Sequence, residues 1–120
     1  MLSSNRFLQV IAEHIVFPAK KLKALEGIDP SSFYVENLRA VLGTGRWLAE
    51  LICETGYRQG VFRKSVQLLC PDGGVARTVP FEEELPETVS CWVEVDGEPE
   101  EREEHTDRLD KLVVYGLVGA

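Results

Sequence analysis

Apolar side chains recur at helical spacing in two adjacent stretches of the chain, from Val35 to Leu42 and again from Trp47 to Ile52. Between them stands Gly43-Thr44-Gly45. Gly43 can end a helix in the left-handed conformation, and Thr44 can cap the next helix by accepting a backbone N–H bond. The pattern predicts two short helices joined by a tight turn. The apolar faces of the two helices are formed by Val35, Leu38, Val41, Leu42, Trp47, Leu48, Leu51 and Ile52.

Extended structure is predicted after the second helix. Gly60 lets the chain turn, Phe62 to Leu69 alternates as a strand does, and Pro71-Asp72-Gly73-Gly74 is a strong turn signal before Val75 to Val79. These features predict a β-hairpin directly behind the helix pair.

The last third of the chain contains two further strand patterns. Thr88 to Val95 places valines and Cys91 on one face and ends at Asp96-Gly97, while Lys111 to Val118 is apolar enough for a strand buried in a sheet. Residues 98 to 108 are almost wholly charged. We expect them to form a solvated loop or a short polar helix.

The first part of the chain predicts two more helices. Residues 5 to 16 have apolar side chains near helical spacing, Pro18 forces a boundary or kink, and residues 19 to 25 form a second amphipathic stretch that Gly27 ends. The lysines of this second stretch are expected to face solvent.

Composition describes one ordinary globular domain. The chain has 120 residues, of which 44% are hydrophobic and 28% charged. A membrane span is not expected, because no run of about 18 apolar residues exists. The first residues lack the layout of a secretory signal, so the expected location is the cytoplasm.

The formal net charge of -7 weighs against unspecific attraction to a phosphate backbone. Acidic residues concentrate at 82–84 and 98–104, and a basic cluster lies at Lys20, Lys21 and Lys23. Solvated charged faces explain these clusters. An alternative hypothesis is head-to-tail self-association between the acidic residues 98–104 of one copy and the lysine cluster of another.

No catalytic motif is evident, so an enzyme is not expected and no cofactor is predicted. His14 is expected on a helix flank and His105 lies in a charge-rich run, and the acidic residues cluster in stretches that a solvated surface explains. Gly43-Thr44-Gly45 is too short for a phosphate-binding loop and precedes no Gly-Lys-Ser/Thr.

Two cysteine-containing segments support a resemblance to a known architecture. Cys70-Pro71-Asp72-Gly73-Gly74 and Cys91-Trp92-Val93-Glu94 resemble the two knuckles of a zinc ribbon, each without its second cysteine, at a spacing typical of such sites. With the helix pair and hairpin before them, they resemble bacterial and archaeal proteins in which a winged helix-turn-helix precedes a ribbon.

The resemblance implies an α+β fold. An N-terminal helix would occupy residues 1–17, a winged helix-turn-helix residues 18–80, and a ribbon-like antiparallel β unit without its metal residues 81–120, all in one compact unit. A zinc site needs four ligands, of which this pattern retains two. No metal is therefore predicted, and the remnant donors would be Cys70, Cys91, Glu94 and His105.

The three cysteines are expected to be free thiols. Cys70 and Cys91 would lie close together if the knuckle geometry persists, but the cytosol disfavours a disulfide. Cys53, beside Ile52, is predicted to be a small apolar core residue.

Two functions remain open, and the first is preferred. A cytosolic winged-helix adaptor would bind another protein or itself, with neither a membrane nor a small-molecule substrate as partner. Its candidate anchors are Trp47, Trp92, Phe33 and Tyr34. The alternative is a DNA-binding transcriptional regulator that uses helix 45–58 and wing 63–79. Its candidate DNA contacts are Arg46, Arg58, Arg63, Lys64 and Arg77, and the outward positions of its helix would be Arg46, Ala49, Glu50, Cys53, Glu54 and Tyr57.

Overall fold

A computed structural model describes residues 27–119. Within this range the chain forms two α-helices and five β-strands, so the predicted α+β class is confirmed. The elements are α1 (Val35–Leu42), α2 (Arg46–Arg58), β1 (Phe62–Leu69), β2 (Val75–Pro80), β3 (Thr88–Val95), β4 (Glu98–His105) and β5 (Asp110–Leu117). The helices predicted at 5–16 and 19–25, Pro18 and the cluster Lys20, Lys21 and Lys23 lie outside the described residues. Neither of the two described helices is long and apolar enough to cross a membrane.

The ends of α1 follow from local chemistry. The Asn37 side chain accepts the backbone N–H of Tyr34 at 2.9 Å, which satisfies one donor at the start of the helix. Gly43 has a φ of 64° and donates its N–H to the Arg39 carbonyl at 2.9 Å. The prediction that Gly43 ends the helix in the left-handed conformation is confirmed.

The predicted cap of α2 is wrong by one residue. Gly45, not Thr44, occupies the N-cap position and makes no side-chain bond there. The Thr44 hydroxyl donates instead to the Gly45 carbonyl at 3.3 Å.

The described chain divides by internal packing into two compact units. The first, here called the helical unit, comprises the chain up to Lys64 together with the chain from Val114 onward. The second, the strand unit, is Ser65–Val113. These limits differ from the predicted domain limits, which remain a sequence-based prediction.

Small residues form the buried stripe of α2 in the helical unit. Ala49, Ile52, Cys53 and Gly56 are buried, at the i, i+3, i+4, i+7 spacing of one helix face. Trp47, which the helical spacing places on the apolar face of α2, is exposed. The buried core of the unit consists of Ile28, Phe33, Leu38, Leu42, Ala49, Ile52, Cys53, Phe62, Tyr115 and Leu117.

The predicted hairpin behind the helices is confirmed. β1 and β2 pair antiparallel, with Val66 opposite Val79, and the connecting turn is closed by a bond from the Gly73 N–H to the Cys70 carbonyl at 2.8 Å. β1 also belongs to a three-stranded sheet of order β2–β1–β5. The winged-helix identity of this arrangement remains a prediction.

The expectation of a loop or polar helix at 98–108 is wrong, because Glu98–His105 is a strand paired antiparallel with β3. Asp96 and Gly97 both have positive φ, 52° and 80°. Asp-Gly favours this two-residue hairpin turn, whose twist matches that of the flanking strands. The turn and the full ladder with β3 therefore outweigh the poor strand propensity of glutamate.

We expect Gly56→Ala to lower the free energy of unfolding by about 2 kcal/mol, because the added methyl group would overlap the ring of Phe62. Helix propensity alone predicts the opposite sign, a gain of about 1 kcal/mol. Urea unfolding followed by circular dichroism decides between them. The control is Gly27→Ala, where an added Cβ meets no atom of the described residues within 4 Å. Equal stability of the two variants would contradict the packing assigned to Gly56.

Candidate interaction surfaces

An apolar face of α2 lies open to solvent. Trp47 is 70% exposed and Leu51, one turn further along the same face, is 44% exposed. The helical spacing grouped both with Leu48 and Ile52 on one apolar face, and the sequence analysis also named Trp47 as a candidate partner anchor. We call Trp47 and Leu51 the helix surface.

Charged side chains fix one border of the helix surface. The Arg46 guanidinium donates to Glu50 at 2.8 Å and to Glu36 of α1 at 3.5 Å. Hydrogen bonding to Glu50, then the charges of Glu50 and Glu36, raise the pKa of Arg46. The cation next to Trp47 is therefore already neutralised by two carboxylates.

Two other predicted anchors differ from Trp47. Phe33 is 1% exposed and packs edge-on against Phe62 with ring centroids 5.3 Å apart, so its prediction as a partner-binding residue is wrong. It is a core residue, because both rings are enclosed by the two helices and the ends of β1 and β5. Tyr34 is half-buried at the start of α1.

The predicted outward face of α2 is partly wrong. Ala49 and Cys53 are fully buried, whereas Arg46 and Glu50 are exposed and Glu54 and Tyr57 are half-buried. The helix is rotated so that its small residues, not its largest apolar ones, face the core.

Three of the predicted DNA-contacting residues already have partners within the helical unit. The Arg63 guanidinium donates to the carbonyls of Leu117 at 2.9 Å and Ser31 at 2.5 Å. Lys64 lies 2.9 Å from Glu54, and its side chain is only 10% exposed. Arg46 is held by the glutamates already described. Arg58 and Arg77 are exposed, although Arg58 donates weakly to the Glu54 carbonyl at 3.4 Å.

Glu54, Lys64 and Tyr115 form a hydrogen-bonded cluster in the helical unit. The Tyr115 hydroxyl donates to one Glu54 oxygen, and the Lys64 ammonium donates to the other at 3.1 Å. The ammonium also lies 5.4 Å from the centroid of the Tyr57 ring and 5.8 Å from that of Tyr115, within the range of cation–π attraction.

Burial and the neighbouring groups have opposite effects on the pKa of Glu54 and act in the same direction on the pKa of Tyr115. Burial is the largest influence on the Glu54 pKa and raises it, but hydrogen bonds from Tyr115 and Lys64 and the charges of Lys64 and Arg58 together lower it. Burial, then the Glu54 hydrogen bond and charge, raise the pKa of Tyr115. The cluster therefore holds an ionised carboxylate beside a neutral phenol.

Cys53 is a core residue, as the sequence predicted. It is fully buried, and burial followed by the charges of Glu54 and Glu50 raises its pKa to about 12. The thiolate that nucleophilic chemistry requires is therefore not formed near neutral pH.

The prediction of free thiols at Cys70 and Cys91 is wrong, because the two residues form a disulfide with their Cα atoms 5.7 Å apart. Cys70 follows β1, and Cys91 lies on the buried face of β3 in the strand unit. The prediction relied on the reducing cytosol, whereas the fold brings both Cβ atoms within bonding reach.

The other remnant donors do not join this pair. Glu94 lies three positions after Cys91 on the same strand, hence on the opposite face, and His105 is opposite Thr88 at the far end of the β3–β4 hairpin. Among residues 27–119, no group of three or more His, Cys, Asp or Glu residues is placed to hold a metal ion.

A second exposed tryptophan lies in the strand unit. Trp92 is 60% exposed on the face of β3 opposite Cys91, and it borders a groove of about 300 Å³. The alternation of side chains along β3, with Cys91 buried, accounts for the outward position of Trp92.

The sequence analysis did not predict a cavity that lies in the strand unit. It measures about 470 Å³ and lies where the end of β4 meets the loop before β3. The Lys111 ammonium at its border donates to the carbonyls of Thr106 at 3.0 Å and Leu109 at 3.1 Å. Its remaining lining residues are Leu85, Pro86, Glu87, His105 and Asp107. The end of β4 contributes to this cavity, and because the sequence did not predict β4 as a strand, it gave no indication of the cavity.

Comparison with known proteins gave no match to a family model, to a curated protein or to a solved structure.

We expect Glu54→Gln to make the free energy of unfolding less dependent on pH in the acid range. Because the folded-state pKa of Glu54 is lowered, ionised Glu54 stabilises the fold above its unfolded pKa of about 4.3, and that contribution disappears as pH falls through the folded pKa. Urea unfolding from pH 7 down to pH 3 measures the slope. Glu84→Gln, an exposed carboxylate in the loop after β2, is the control. Identical slopes for both variants would contradict the cluster.

Replacing both Cys70 and Cys91 with serine should lower the free energy of unfolding by about 3 kcal/mol, because the disulfide reduces the number of conformations that the unfolded chain can adopt. Reductant should produce the same loss in the native protein and none in the variant. Alkylation of the denatured, unreduced protein should label Cys53 alone, and labelling of all three cysteines would disprove the disulfide.

Proposed function

We propose that the chain is a non-enzymatic interaction module that binds another protein, or a second copy of itself, through the helix surface of Trp47 and Leu51. The observation that carries the proposal is the 70% exposure of Trp47 on a well-packed helix. Tryptophan is the residue most enriched among those that dominate binding energies at protein interfaces.

The surroundings of Trp47 support an interface. Leu51 extends the apolar area by one helical turn, and the Arg46–Glu50–Glu36 ion pairs provide an ordered polar border. An apolar centre with a polar rim is the usual anatomy of a protein–protein interface. Side chains already held in place also lose less conformational freedom on binding.

The Cys70–Cys91 disulfide weighs against the cytoplasmic location expected from the sequence. Disulfides persist in oxidising compartments and are uncommon in the cytosol. The Cys70–Cys91 bond therefore favours an oxidising compartment.

DNA binding is the less supported function. Arg46, Arg63 and Lys64 are held by carboxylates or carbonyls of the chain itself, and Glu50 is exposed on the helix that would enter the major groove. An exposed carboxylate there would face the phosphates, which repel it.

We expect Trp47→Ser to weaken binding at the helix surface by about 2 kcal/mol, roughly thirtyfold. Sedimentation velocity over a concentration series tests self-binding, and a photo-crosslinking amino acid placed at position 47 tests binding to another protein in lysate. Ala40, exposed on α1, is the control position for the cross-linker.

The matched control for Trp47→Ser is Leu112→Ser, since Leu112 is an exposed large apolar residue of the strand unit that lies in neither proposed surface. A protein that stays monomeric and cross-links no more from position 47 than from position 40 would disprove the proposal. A salt-sensitive gel shift of random duplex that Arg58→Ala abolishes would favour the DNA-binding alternative.

A further inference from the structure

The outward face of the β3–β4 hairpin combines an exposed aromatic ring with carboxylates. Trp92 lies directly opposite Glu101 in the ladder, and Glu94 lies opposite Pro99. Residues opposite each other, or two apart on one strand, share a face. Trp92, Glu94, Pro99 and Glu101 therefore form one surface, here called the hairpin face.

The hairpin face borders a groove. Trp92, Glu94 and Pro99 line it together with Asp72 from the turn between β1 and β2, and its volume is about 300 Å³. The Asp72 side chain is held in place, because it accepts the Gly74 N–H at 2.9 Å. The groove thus has a ring and a proline for walls, and carboxylates from two separate hairpins at its border.

This face contains no cation of its own. Arg102, the one arginine or lysine of β4, is opposite Cys91 and so belongs to the other face, where it lies 3.3 Å from Glu100. His105, opposite Thr88, ends the strand beyond the four residues of the hairpin face. In the described part of the chain, no basic side chain makes an ion pair with Glu94, Glu101 or Asp72. The carboxylates of the hairpin face keep their negative charge available to a partner.

Protection of an edge strand explains only part of this arrangement. Charged residues on a strand such as β4 prevent edge-to-edge aggregation. That purpose accounts for the glutamates of β4, but it gives no reason for a tryptophan 60% exposed among them. A cation binds well over an indole ring, and nearby carboxylates strengthen the attraction.

We infer that the hairpin face binds an arginine- or lysine-containing segment of a partner protein, with one basic side chain lying in the groove against Trp92 and its charged group near Glu94 and Asp72. The aliphatic stem of such a side chain would contact the indole and Pro99, while its head remains at the polar border. This surface lies in the strand unit and does not depend on the helix surface proposed above.

The test uses the full chain and a short dye-labelled peptide of alternating arginine and glycine, followed by fluorescence anisotropy at low salt. The glutamate–glycine peptide is the negative control. We expect Trp92→Ala, which leaves the net charge unchanged, to weaken binding about tenfold. In NMR spectra the peptide should shift the indole N–H signal of Trp92 and leave that of Trp47 in place.

Matched charge variants separate a site from general attraction to an acidic protein. Glu94→Gln with Glu101→Gln removes two charges on the hairpin face, while Glu83→Gln with Glu84→Gln removes two charges in the loop after β2. We expect the first pair to weaken binding at least tenfold and the second pair to change it less than twofold. Equal losses would overturn the inference, because they would show attraction to net charge alone.

Other outcomes also overturn it. If the peptide does not bind at low salt, the hairpin face is not such a site. The same conclusion follows if Trp92→Ala has a native circular dichroism spectrum and binds the peptide unchanged. Concentration-dependent dimerisation that Glu94→Gln with Glu101→Gln abolishes would assign the face to a second copy of the chain. Trp47→Ser must bind the peptide normally, so failure of the helix-surface proposal leaves this inference standing.

Discussion

The packing of Phe33 against Tyr115 and Phe62 is the contact on which the helical unit depends. Phe33 and Tyr115 exchange both backbone hydrogen bonds at 2.8 Å, and their rings stack with centroids 6.2 Å apart. The segment before α1 is thereby fixed to β5, and Phe62 at the start of β1 completes the cluster. The Phe62 ring packs directly against Gly56, where any side chain would overlap it, so α2 must turn Gly56 toward Phe62. This rotation of α2 about its axis exposes Trp47. The position of the helix surface is thus a consequence of core packing.

The strand unit depends on a different constraint. Asp96-Gly97 closes β3 and β4 into a hairpin, and the alternation of β3 then assigns Cys91 to the core and Trp92 to solvent. Cys91 is joined to Cys70, so the buried face is also held covalently. The core of Leu68, Val79, Val89, Cys91 and Leu109 is small. Small cores gain most from such a cross-link, since little apolar area is available to offset chain entropy.

Local patterns predicted the elements, and long-range packing decided their faces. The bounds of α1 and the β1–β2 hairpin follow from Gly43 and the turn at residues 71–74, which act within a few residues. The rotation of α2 could not be predicted, because the ring that selects Gly56 lies on another element. Arg63 and Lys64 looked free in sequence, since their partners Ser31, Leu117 and Glu54 are at least ten residues away. Asp96-Gly97 marks the end of β3 in the sequence, but the run of charged residues after it has no strand pattern, and only the pairing with β3 makes Glu98–His105 a strand.

The helical unit is discontinuous, and this has a consequence for synthesis. Its core includes Tyr115 and Leu117, which follow the whole of the strand unit in chain order. As the chain leaves the ribosome, the strand unit has all its core residues first, while the two helices still lack the strand against which Phe33 packs. A translational pause after residue 113 would therefore leave Phe33, Leu38 and Leu42 without their last core partners, and such exposed apolar surface is what chaperones bind.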